Sequence, residues 1–345
     1  MTDTGKSTLP KHRLGRTDML ITRVGLGAWA IGGGDWAVGW GTQDDAQSIA
    51  AIRHAVARGV NWIDTAAIYG LGHSEEVVRA ALQDLPSAER PFIFTKCGLR
   101  WNDADRMAPP QNVGEPESIR AECEASLRRL GVERIDLYQM HWPARDGTPI
   151  EEYWGALIDL KRAGKVRAVG LSNHNVEQLA AAERIGHVDT LQPPFSAIHR
   201  EFAAKELPWC IAHDTGVIVY SPMQAGLLSG AFTEARAAKL PADDWRSRNA
   251  EFTGGKLAAN LALAGTMKRV AARHGTTAAA AAVAWTLAWP GVSGAIVGAR
   301  APDQVDGWIE AARLHLTEAD LEEIGASINH TGAGSGPILP SELAA

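Results

Sequence analysis

The sequence contains 345 residues, of which 46% are apolar, and it carries a formal net charge of −6 at pH 7. This length is large for an ordinary domain but suits a single α/β barrel, which reaches roughly 250 residues or more with insertions. The negative charge, without any stripe of basic residues, argues against a nucleic-acid partner.

The cysteines exclude several other classes of protein. Cys97, Cys123 and Cys210 are far apart, and none belongs to a CxxC pair. This spacing argues against a disulfide scaffold or a zinc finger and favours a reducing compartment. The first residues contain no apolar signal segment, and no apolar run approaches the ~20 residues that a membrane span needs. We therefore expect a cytoplasmic protein without membrane association.

Short apolar, β-branched segments alternate with longer amphipathic segments along the chain. The predicted strands cover residues 24–29, 60–66, 92–97, 135–142, 166–173, 190–195, 217–222 and 294–299. The predicted helices cover residues 44–58, 74–84, 117–130, 151–163, 175–185, 201–214, 256–273, 277–289 and 302–312. Eight strand–helix units with short connections predict a parallel sheet that closes as an α/β, (β/α)8 TIM barrel.

Three long loops follow predicted strands at 29–43, 98–116 and 223–256. They lie at the C-terminal face, where barrels of this type build their active sites. At the other end, residues 12–25 (HRLGRTDMLITRVG) predict a β-hairpin that plugs the bottom of the barrel.

The domain organisation is predicted to be simple. No linker or change in composition divides the chain, so residues 1–345 form one domain. Its core covers about 12–328, and the Gly-rich segment 329–345 is expected to be a mobile tail.

Four polar residues stand at or just after three consecutive predicted strands: Asp64, Tyr69, Lys96 and His141. Each has an ordinary structural explanation as a helix cap, a rim aromatic, a solvated lysine or a core histidine. Four such coincidences at neighbouring strand ends are less probable than one shared site, because the barrel brings these ends together.

These four groups suit one kind of chemistry. A buried Asp64 holds Lys96 charged, and that charge is expected to lower the pKa of Tyr69 from its usual value of ~10. A tyrosine adjusted in this way donates a proton to a developing alkoxide and takes it back in the reverse reaction. His141 is expected to orient the carbonyl oxygen. The set predicts carbonyl reduction with a separate source of hydride.

In these residues and in the motifs around them, the sequence resembles the aldo-keto reductase family. The resemblance is carried by NWIDTAAIYGLGHSEEVV, FTKC, LYQMHWP, GKVRAVGLSNH, VYSPMQAGLLSG and IVGARAPDQ, in this order along nearly the whole chain. It places Asp64, Tyr69, Lys96 and His141 at the catalytic positions. The branch it resembles includes bacterial stress-type reductases and potassium-channel β subunits.

The resemblance implies an NADP(H)-dependent oxidoreductase that interconverts a carbonyl and an alcohol. The residues expected to bind the cofactor are Trp29, Ser172, Asn173, Gln192, Tyr220, Ser221, Pro222, Met223, Gln224, Gly226, Leu228, Gly298, Arg300 and Gln304. Arg300, at the start of a helix, favours the 2′-phosphate of NADPH over NADH. Trp308 departs from the asparagine that the branch often carries, so the adenine end is expected to bind differently.

Tryptophans concentrate after the predicted strands. The expected substrate pocket consists of Trp29, Trp36, Trp101 and Trp142. Such a broad aromatic surface suits a sugar face or a bulky ring compound. We expect a monomer or weak homo-oligomer that acts on a small molecule.

Three alternatives stay open. A Rossmann dehydrogenase is disfavoured because no GxGxxG follows a strand. A metal-dependent barrel hydrolase would use His73, His141, His174 and Asp64, but no HxH or HExxH occurs, Lys96 would repel a cation, and we expect no metal. A cofactor-binding regulatory or interaction subunit with little turnover is the third alternative, which a panel of carbonyl substrates would distinguish.

Overall fold

The structure is a computed structural model that describes residues 8–240 and 244–344. The predicted single domain also includes residues 1–7, 241–243 and 345, which lie outside the described residues.

Eight parallel strands close into a barrel: β3 (Val24–Gly27), β4 (Trp62–Asp64), β5 (Phe92–Cys97), β8 (Ile135–Met140), β9 (Val166–Ser172), β10 (Thr190–Gln192), β11 (Gly216–Val219) and β12 (Val292–Gly298). Their order around the barrel is β10-β11-β12-β3-β4-β5-β8-β9. All neighbouring pairs run parallel, including β9 with β10, which closes the ring. The predicted (β/α)8 TIM barrel is confirmed.

Helices surround the barrel and connect its strands. They are α1 (Asp45–Ala57), α2 (His73–Leu82), α3 (Pro116–Leu130), α4 (Ile150–Arg162), α5 (Val176–Glu183), α6 (Phe202–His213), α7 (Glu234–Ala237), α8 (Gly254–Arg273), α9 (Ala278–Leu287), α10 (Pro302–Asp306) and α11 (Glu318–Thr331). Short 3₁₀ segments occur at Ala30–Gly32, Ser87–Glu89, Leu227–Ser229, Trp245–Arg248, Ala250–Phe252, Ile309–Ala312 and Pro340–Ala344. Among the described residues, no helix is both long and apolar enough to cross a membrane.

The N-terminal hairpin plugs the N-terminal end of the barrel, as predicted. It consists of β1 (Lys11–Arg13) and β2 (Leu20–Thr22), which pair antiparallel. Its residues Leu14, Met19 and Ile21 are fully buried in one cluster with the barrel residues Trp62, Phe94, Leu137, Ala168, Ile218 and Ile296. The Trp62 indole, at the start of β4, donates to the Thr22 carbonyl at 2.8 Å. Apolar burial and this hydrogen bond fix the hairpin below the barrel.

Several boundaries differ from the predictions. Strand β10 ends at Gln192 rather than at residue 195, because Pro193 and Pro194 have no N–H to donate to a ladder. The predicted helix 302–312 is divided into α10 and a 3₁₀ segment. Helix α11 was not predicted, although the Thr317–Asp320 capping box marks its start.

The long loops contain small elements of their own. The loop after β5 forms a short hairpin of β6 (Leu99–Arg100) and β7 (Gln111–Asn112). Among its described residues, the loop after β11 contains α7 and three 3₁₀ segments.

The C-terminal segment packs against the loop before α6. The Arg200 guanidinium donates to the Ala333 carbonyl at 3.1 Å, and the Arg200 N–H donates to the Ser335 carbonyl at 3.0 Å. A Cβ at Gly334 would lie 1.8 Å from the Ile198 carbonyl oxygen, so only glycine permits this approach. Helix α11 also continues to Thr331, past the expected core boundary at 328. The mobility of segment 329–345 stays a prediction.

Candidate active site

One large cavity opens at the C-terminal end of the barrel. Its volume of about 950 Å³ is at the upper end of the roughly 300–1,000 Å³ that ligand pockets span. Residues from the ends of most barrel strands line it, together with residues from all three long loops. This is the position at which barrels of this fold place their chemistry.

A buried ion pair lies below the cavity. Lys96 Nζ is 2.5 Å from Asp64 Oδ1 and donates to the Thr65 carbonyl at 2.9 Å. Asp64 Oδ2 accepts from Gln192 Nε2 at 2.8 Å. Burial raises the pKa of Asp64 and lowers the pKa of Lys96, while the mutual attraction opposes both shifts. The ion pair with Lys96 therefore explains why a buried core strand ends in an aspartate.

Tyr69 lies in the turn between β4 and α2. Its ring centroid is 5.2 Å from Lys96 Nζ, and its backbone N–H donates to the Ala66 carbonyl at 3.1 Å. The next residue, Gly70, has a φ of 64°, and a Cβ there would lie 2.4 Å from the Gly32 carbonyl oxygen. Glycine at this position therefore lets the turn pass close to the first long loop and holds Tyr69 at the cavity.

The pKa of Tyr69 is raised well above its usual value of 10, first by burial and then by the charge of Asp64 and by Tyr220. The expectation that Lys96 lowers this pKa is therefore wrong for this structure, because the loss of hydration outweighs the nearby cation. The phenol is consequently a protonated group at neutral pH. This is the state that a proton donor requires.

His141 follows strand β8 and faces Tyr69. The two ring centroids are 5.7 Å apart and the rings are nearly perpendicular. Burial, and then the charge of Lys96, lower the pKa of His141 well below 6.5. The imidazole is therefore neutral at physiological pH and is suited to hydrogen bonding with an uncharged carbonyl group.

A network of hydrogen bonds connects the ends of strands β9, β10 and β11. Tyr220 donates from its hydroxyl to Asn173 Oδ1 at 2.8 Å, and Asn173 Nδ2 donates to the His141 carbonyl at 3.0 Å. Ser172 Oγ donates to the Gln192 carbonyl at 2.8 Å. Asn173 itself has a φ of 63°, a conformation that asparagine adopts more readily than most residues. These contacts fix amide and hydroxyl groups along one side of the cavity.

The adjacent side of the cavity, after β11 and β12, offers exposed backbone and a cation. Added Cβ atoms would meet nothing within 4 Å at Gly226 and only the Gly27 carbonyl, at 3.9 Å, at Gly298. Both glycines line the cavity, so the main chain there is open to a ligand. Arg300 follows β12 and donates to Gln43 Oε1 and to the Thr42 carbonyl. Two of its five N–H donors are thus in use, and the others remain for an anion.

A nicotinamide dinucleotide fits this set of residues. The cavity combines open backbone at glycines, a guanidinium and fixed amide groups, which match phosphate and carboxamide chemistry. Trp308 and Trp40 also line it, and among the described residues each Nε1 is buried without a hydrogen-bond partner. The structure thus has unsatisfied donors close to the expected cofactor position.

Most of the sequence-predicted site residues line this cavity. They are Asp64, Tyr69, His141, Trp29, Trp36, Trp142, Ser172, Asn173, Gln192, Tyr220, Ser221, Pro222, Met223, Gly226, Gly298, Arg300 and Gln304. Lys96 lies just beneath them, bound to Asp64.

Besides Lys96, three predicted residues are not among the lining residues. Leu228 is fully buried in the core. Gln224 accepts from Ser196 Oγ at 3.5 Å. Trp101 donates to Asp103 Oδ1 at 2.8 Å within its own loop. Because loop side chains follow no fixed period, their directions were not available from the sequence.

Other lining residues were not predicted as site residues. They include Val38, Ile68, Leu99, Pro110, Asn112, Arg145, Arg236, Arg246, Asp303 and Trp308. Trp40 also lines the cavity, and it belongs to the set of tryptophans after predicted strands that suggests an aromatic pocket from the sequence. Among the described residues, no group of three or more His, Cys, Asp or Glu side chains is arranged to hold a metal ion.

Comparisons with known proteins agree with this arrangement. The profile of the aldo/keto reductase family matches residues 23–329. An aldo-keto reductase of Bacillus subtilis (strain 168) is 34% identical over 331 residues, which is 95% of this chain and 96% of the relative. An NADH-specific methylglyoxal reductase of Escherichia coli (strain K12) is 35% identical over 331 residues, covering 90% of this chain and 96% of the relative.

Solved structures resemble the chain over nearly its whole length. A glycerol dehydrogenase from Gluconobacter oxydans has a TM-score of 0.86 at 36% identity and covers 95% of this chain and 98% of its own. An aldo-keto reductase from Bacillus halodurans has a TM-score of 0.74 at 22% identity, with coverage of 92% and 96%, and at this identity the likeness concerns the fold. Together with the family profile, these relatives show that the chain belongs to the aldo/keto reductase family and is an oxidoreductase.

Proposed function

We propose that this protein reduces an aldehyde or ketone to the corresponding alcohol with NADPH, using Tyr69 as the proton donor. The observation that carries the proposal is the placement of the Tyr69 ring 5.7 Å from the His141 ring and 5.2 Å from Lys96 Nζ, above the Lys96–Asp64 pair. A reduced nicotinamide cofactor, when bound, supplies the hydride.

The side chains divide the remaining work. Tyr69 donates its proton to the carbonyl oxygen as negative charge develops there. His141 holds that oxygen by a hydrogen bond, which its neutral state allows. Lys96, 5.2 Å from the tyrosine ring, stabilises the phenolate that proton transfer leaves behind. Asp64 keeps Lys96 charged and in place.

The raised pKa of Tyr69 also bears on which of the two reactions, carbonyl reduction or alcohol oxidation, the resting enzyme is ready for. At neutral pH the phenol carries its proton, which the reduction consumes. Alcohol oxidation needs the deprotonated form, which burial disfavours. The resting enzyme near pH 7 is therefore in the protonation state that carbonyl reduction uses.

The preference for NADPH rests on Arg300, whose guanidinium has donors left for a phosphate. Because one relative is named as NADH-specific, this preference is the part of the proposal that most needs measurement. Helix α10 has only five residues, so its dipole adds little, and the side chain itself carries the argument.

The substrate is proposed as a carbonyl compound that packs against Trp29, Trp36 and Trp142. Two relatives are named for methylglyoxal and glycerol, so small polar carbonyls belong in the first panel beside ring-bearing aldehydes. The groups in the proposed chemistry all come from one chain, so a monomer suffices. The three free, buried cysteines suit a reducing cytoplasm.

The test is steady-state oxidation of NADPH and of NADH with methylglyoxal, glyceraldehyde, benzaldehyde and sugar aldehydes, followed by NADP⁺ reduction with the matching alcohols. Turnover of a carbonyl by wild type, lost in Tyr69→Phe, supports the proposal. Cofactor binding without turnover of any panel member would instead favour a binding subunit.

A further inference from the structure

The cavity is cationic although the whole chain has a net charge of −6. Its lining contains four arginines, Arg145, Arg236, Arg246 and Arg300. The aspartates that line it are Asp64, which is paired with Lys96, and Asp303. A cleft of this sign in a negative protein concentrates anions.

Three of the arginines already have partners. Arg246 pairs with Asp244 at 2.7 Å and lies over the Trp40 ring. Arg236 lies over the Phe232 ring, with its Cζ 5.5 Å from the ring centroid. Arg300 donates to the first long loop. Among the described residues, the Arg145 guanidinium has no hydrogen bond or ion pair.

The backbone that carries Arg145 is fixed. Its N–H donates to the Asn112 carbonyl at 2.9 Å, and Asn112 Nδ2 donates to the Pro143 carbonyl at 3.2 Å. The adjacent carboxylate, Asp146, is occupied by the N–H groups of Gly114 and Thr148. The Arg145 guanidinium is therefore exposed on a turn of fixed backbone, and the adjacent Asp146 carboxylate is not available to pair with it.

The position of Arg145 relates it to the substrate. It follows the same strand as His141, four residues later, and lines the cavity beside Trp142. In the barrel, β8 is four strands away from β12, the strand that Arg300 follows. Arg145 and Arg300 thus stand across the barrel from each other, so a phosphate held by Arg300 would leave Arg145 free.

We propose that Arg145 binds an anionic group, a carboxylate or phosphate, on the carbonyl substrate, while Trp142 packs against the body of that substrate. This inference rests on the proposed carbonyl reductase function. A guanidinium binds either anion through paired N–H donors. Trp142 is 38% exposed, which leaves an indole face open at the same place.

The kinetic test compares charged carbonyl substrates with their neutral partners. 4-Carboxybenzaldehyde and 4-formylbenzamide differ in the charge of one group, and glyceraldehyde 3-phosphate with glyceraldehyde gives the phosphate arm. In Arg145→Gln, the ratio of kcat/KM for the charged over the neutral partner should fall about tenfold, mainly through KM. The arm that falls identifies the anion, and Arg145→Lys should restore part of the ratio.

The control is an arginine outside the cavity. Arg184→Gln removes an exposed arginine outside the cavity, so a similar fall there would mean a general charge effect and would overturn the inference. An unchanged ratio in both arms for Arg145→Gln would also overturn it, with the reductase function intact. If no carbonyl is reduced at all, the proposed function fails. Quenching of tryptophan fluorescence by benzoate against benzamide then still decides: equal benzoate affinity in wild type and Arg145→Gln refutes the anion site.

Discussion

At Tyr69, burial and the charge of Asp64 both favour the protonated phenol, whereas the nearby cation Lys96 favours the phenolate. Desolvation raises the phenol pKa, and Lys96, which favours the phenolate, does not overcome it. Tyr69 therefore keeps its proton at neutral pH, and Lys96 stabilises the phenolate once proton transfer has formed it. A single residue thus combines a stable protonated resting state with stabilisation of the charge that the reaction creates.

Tyr69→Phe removes the proton donor and keeps the ring. We expect this variant to fold and to bind NADPH as wild type does, with kcat lower by roughly 10²–10⁴, or about 3–5 kcal/mol of barrier. Single-turnover kinetics and a cofactor titration measure the two quantities. Near-normal kcat at pH 7 would exclude Tyr69 as the donor and leave His141 as the candidate.

Lys96→Met should lower kcat on a similar scale, because the phenolate would lose its cation and Asp64 its partner. The variant should also be less stable by about 3–5 kcal/mol, since it leaves a buried charge unpaired. Combined with Tyr69→Phe, it should add little further loss of kcat, because the two residues act as a unit. Independent, multiplicative losses in the double variant would contradict the coupling. Circular dichroism controls for unfolding.

Among the elements, the turn between β12 and α10 determines cofactor choice in our proposal. Arg300→Ala should weaken NADPH binding about 10- to 150-fold, the equivalent of roughly 1.5–3 kcal/mol, and weaken NADH binding far less. The ratio of the two dissociation constants, from tryptophan quenching, separates the phosphate contact from any disturbance of the Thr42–Gln43 contacts. Equal losses for both cofactors would show that Arg300 does not bind the 2′-phosphate.

The N-terminal hairpin should contribute stability and no chemistry. Met19 is fully buried against the barrel, so Met19→Ala should reduce the free energy of unfolding by about 2–5 kcal/mol. Leu20, in the same hairpin but 49% exposed, provides the control, and its change to Ala should have a small effect. Urea unfolding measures both. Because the hairpin lies at the opposite end from Tyr69, a large change of kcat in folded Met19→Ala would contradict this division of roles.

The sequence was most informative where the backbone is regular. Asp64, Lys96 and His141 stand at strand ends, and parallel strands bring their ends to one face, so their convergence followed from the pattern. Trp101, Gln224 and Leu228 stand in loops, where no period fixes the side-chain direction. The direction of the Tyr69 pKa shift depends on burial by several elements at once. That the Arg145 guanidinium has no partner among the described residues likewise depends on the contacts that the adjacent Asp146 makes.

At the scale of the whole molecule, the barrel holds its working groups by burying polar residues in fixed contacts. His174 is an example outside the catalytic set: it is buried, Tyr153 Oη lies 2.9 Å from its Nε2, and its Nδ1 lies 2.8 Å from the Ser172 carbonyl. Burial lowers its pKa from 6.5 to about 4, against the hydrogen bond to Ser172. The folded protein therefore disfavours a proton that the unfolded chain accepts.

This difference makes stability depend on pH. For a histidine whose pKa is lower in the folded state, the contribution to stability is full above pH 6.5 and is lost as pH falls toward 4. From these two pKa values, His174 alone should remove about 2 kcal/mol of unfolding free energy between pH 7.5 and pH 5. His141, whose pKa is also lowered, adds to the loss in the same direction.

We expect His174→Gln to be less stable at pH 7.5 than wild type. Its free energy of unfolding should, however, fall by about 2 kcal/mol less than that of wild type between pH 7.5 and pH 5. Urea unfolding at both pH values measures the difference, with His330→Gln, at an exposed position on α11, as the control. An equal pH dependence in wild type and His174→Gln would mean that His174 takes up no proton on unfolding, so the acid sensitivity would have to come from His141 or from elsewhere in the chain.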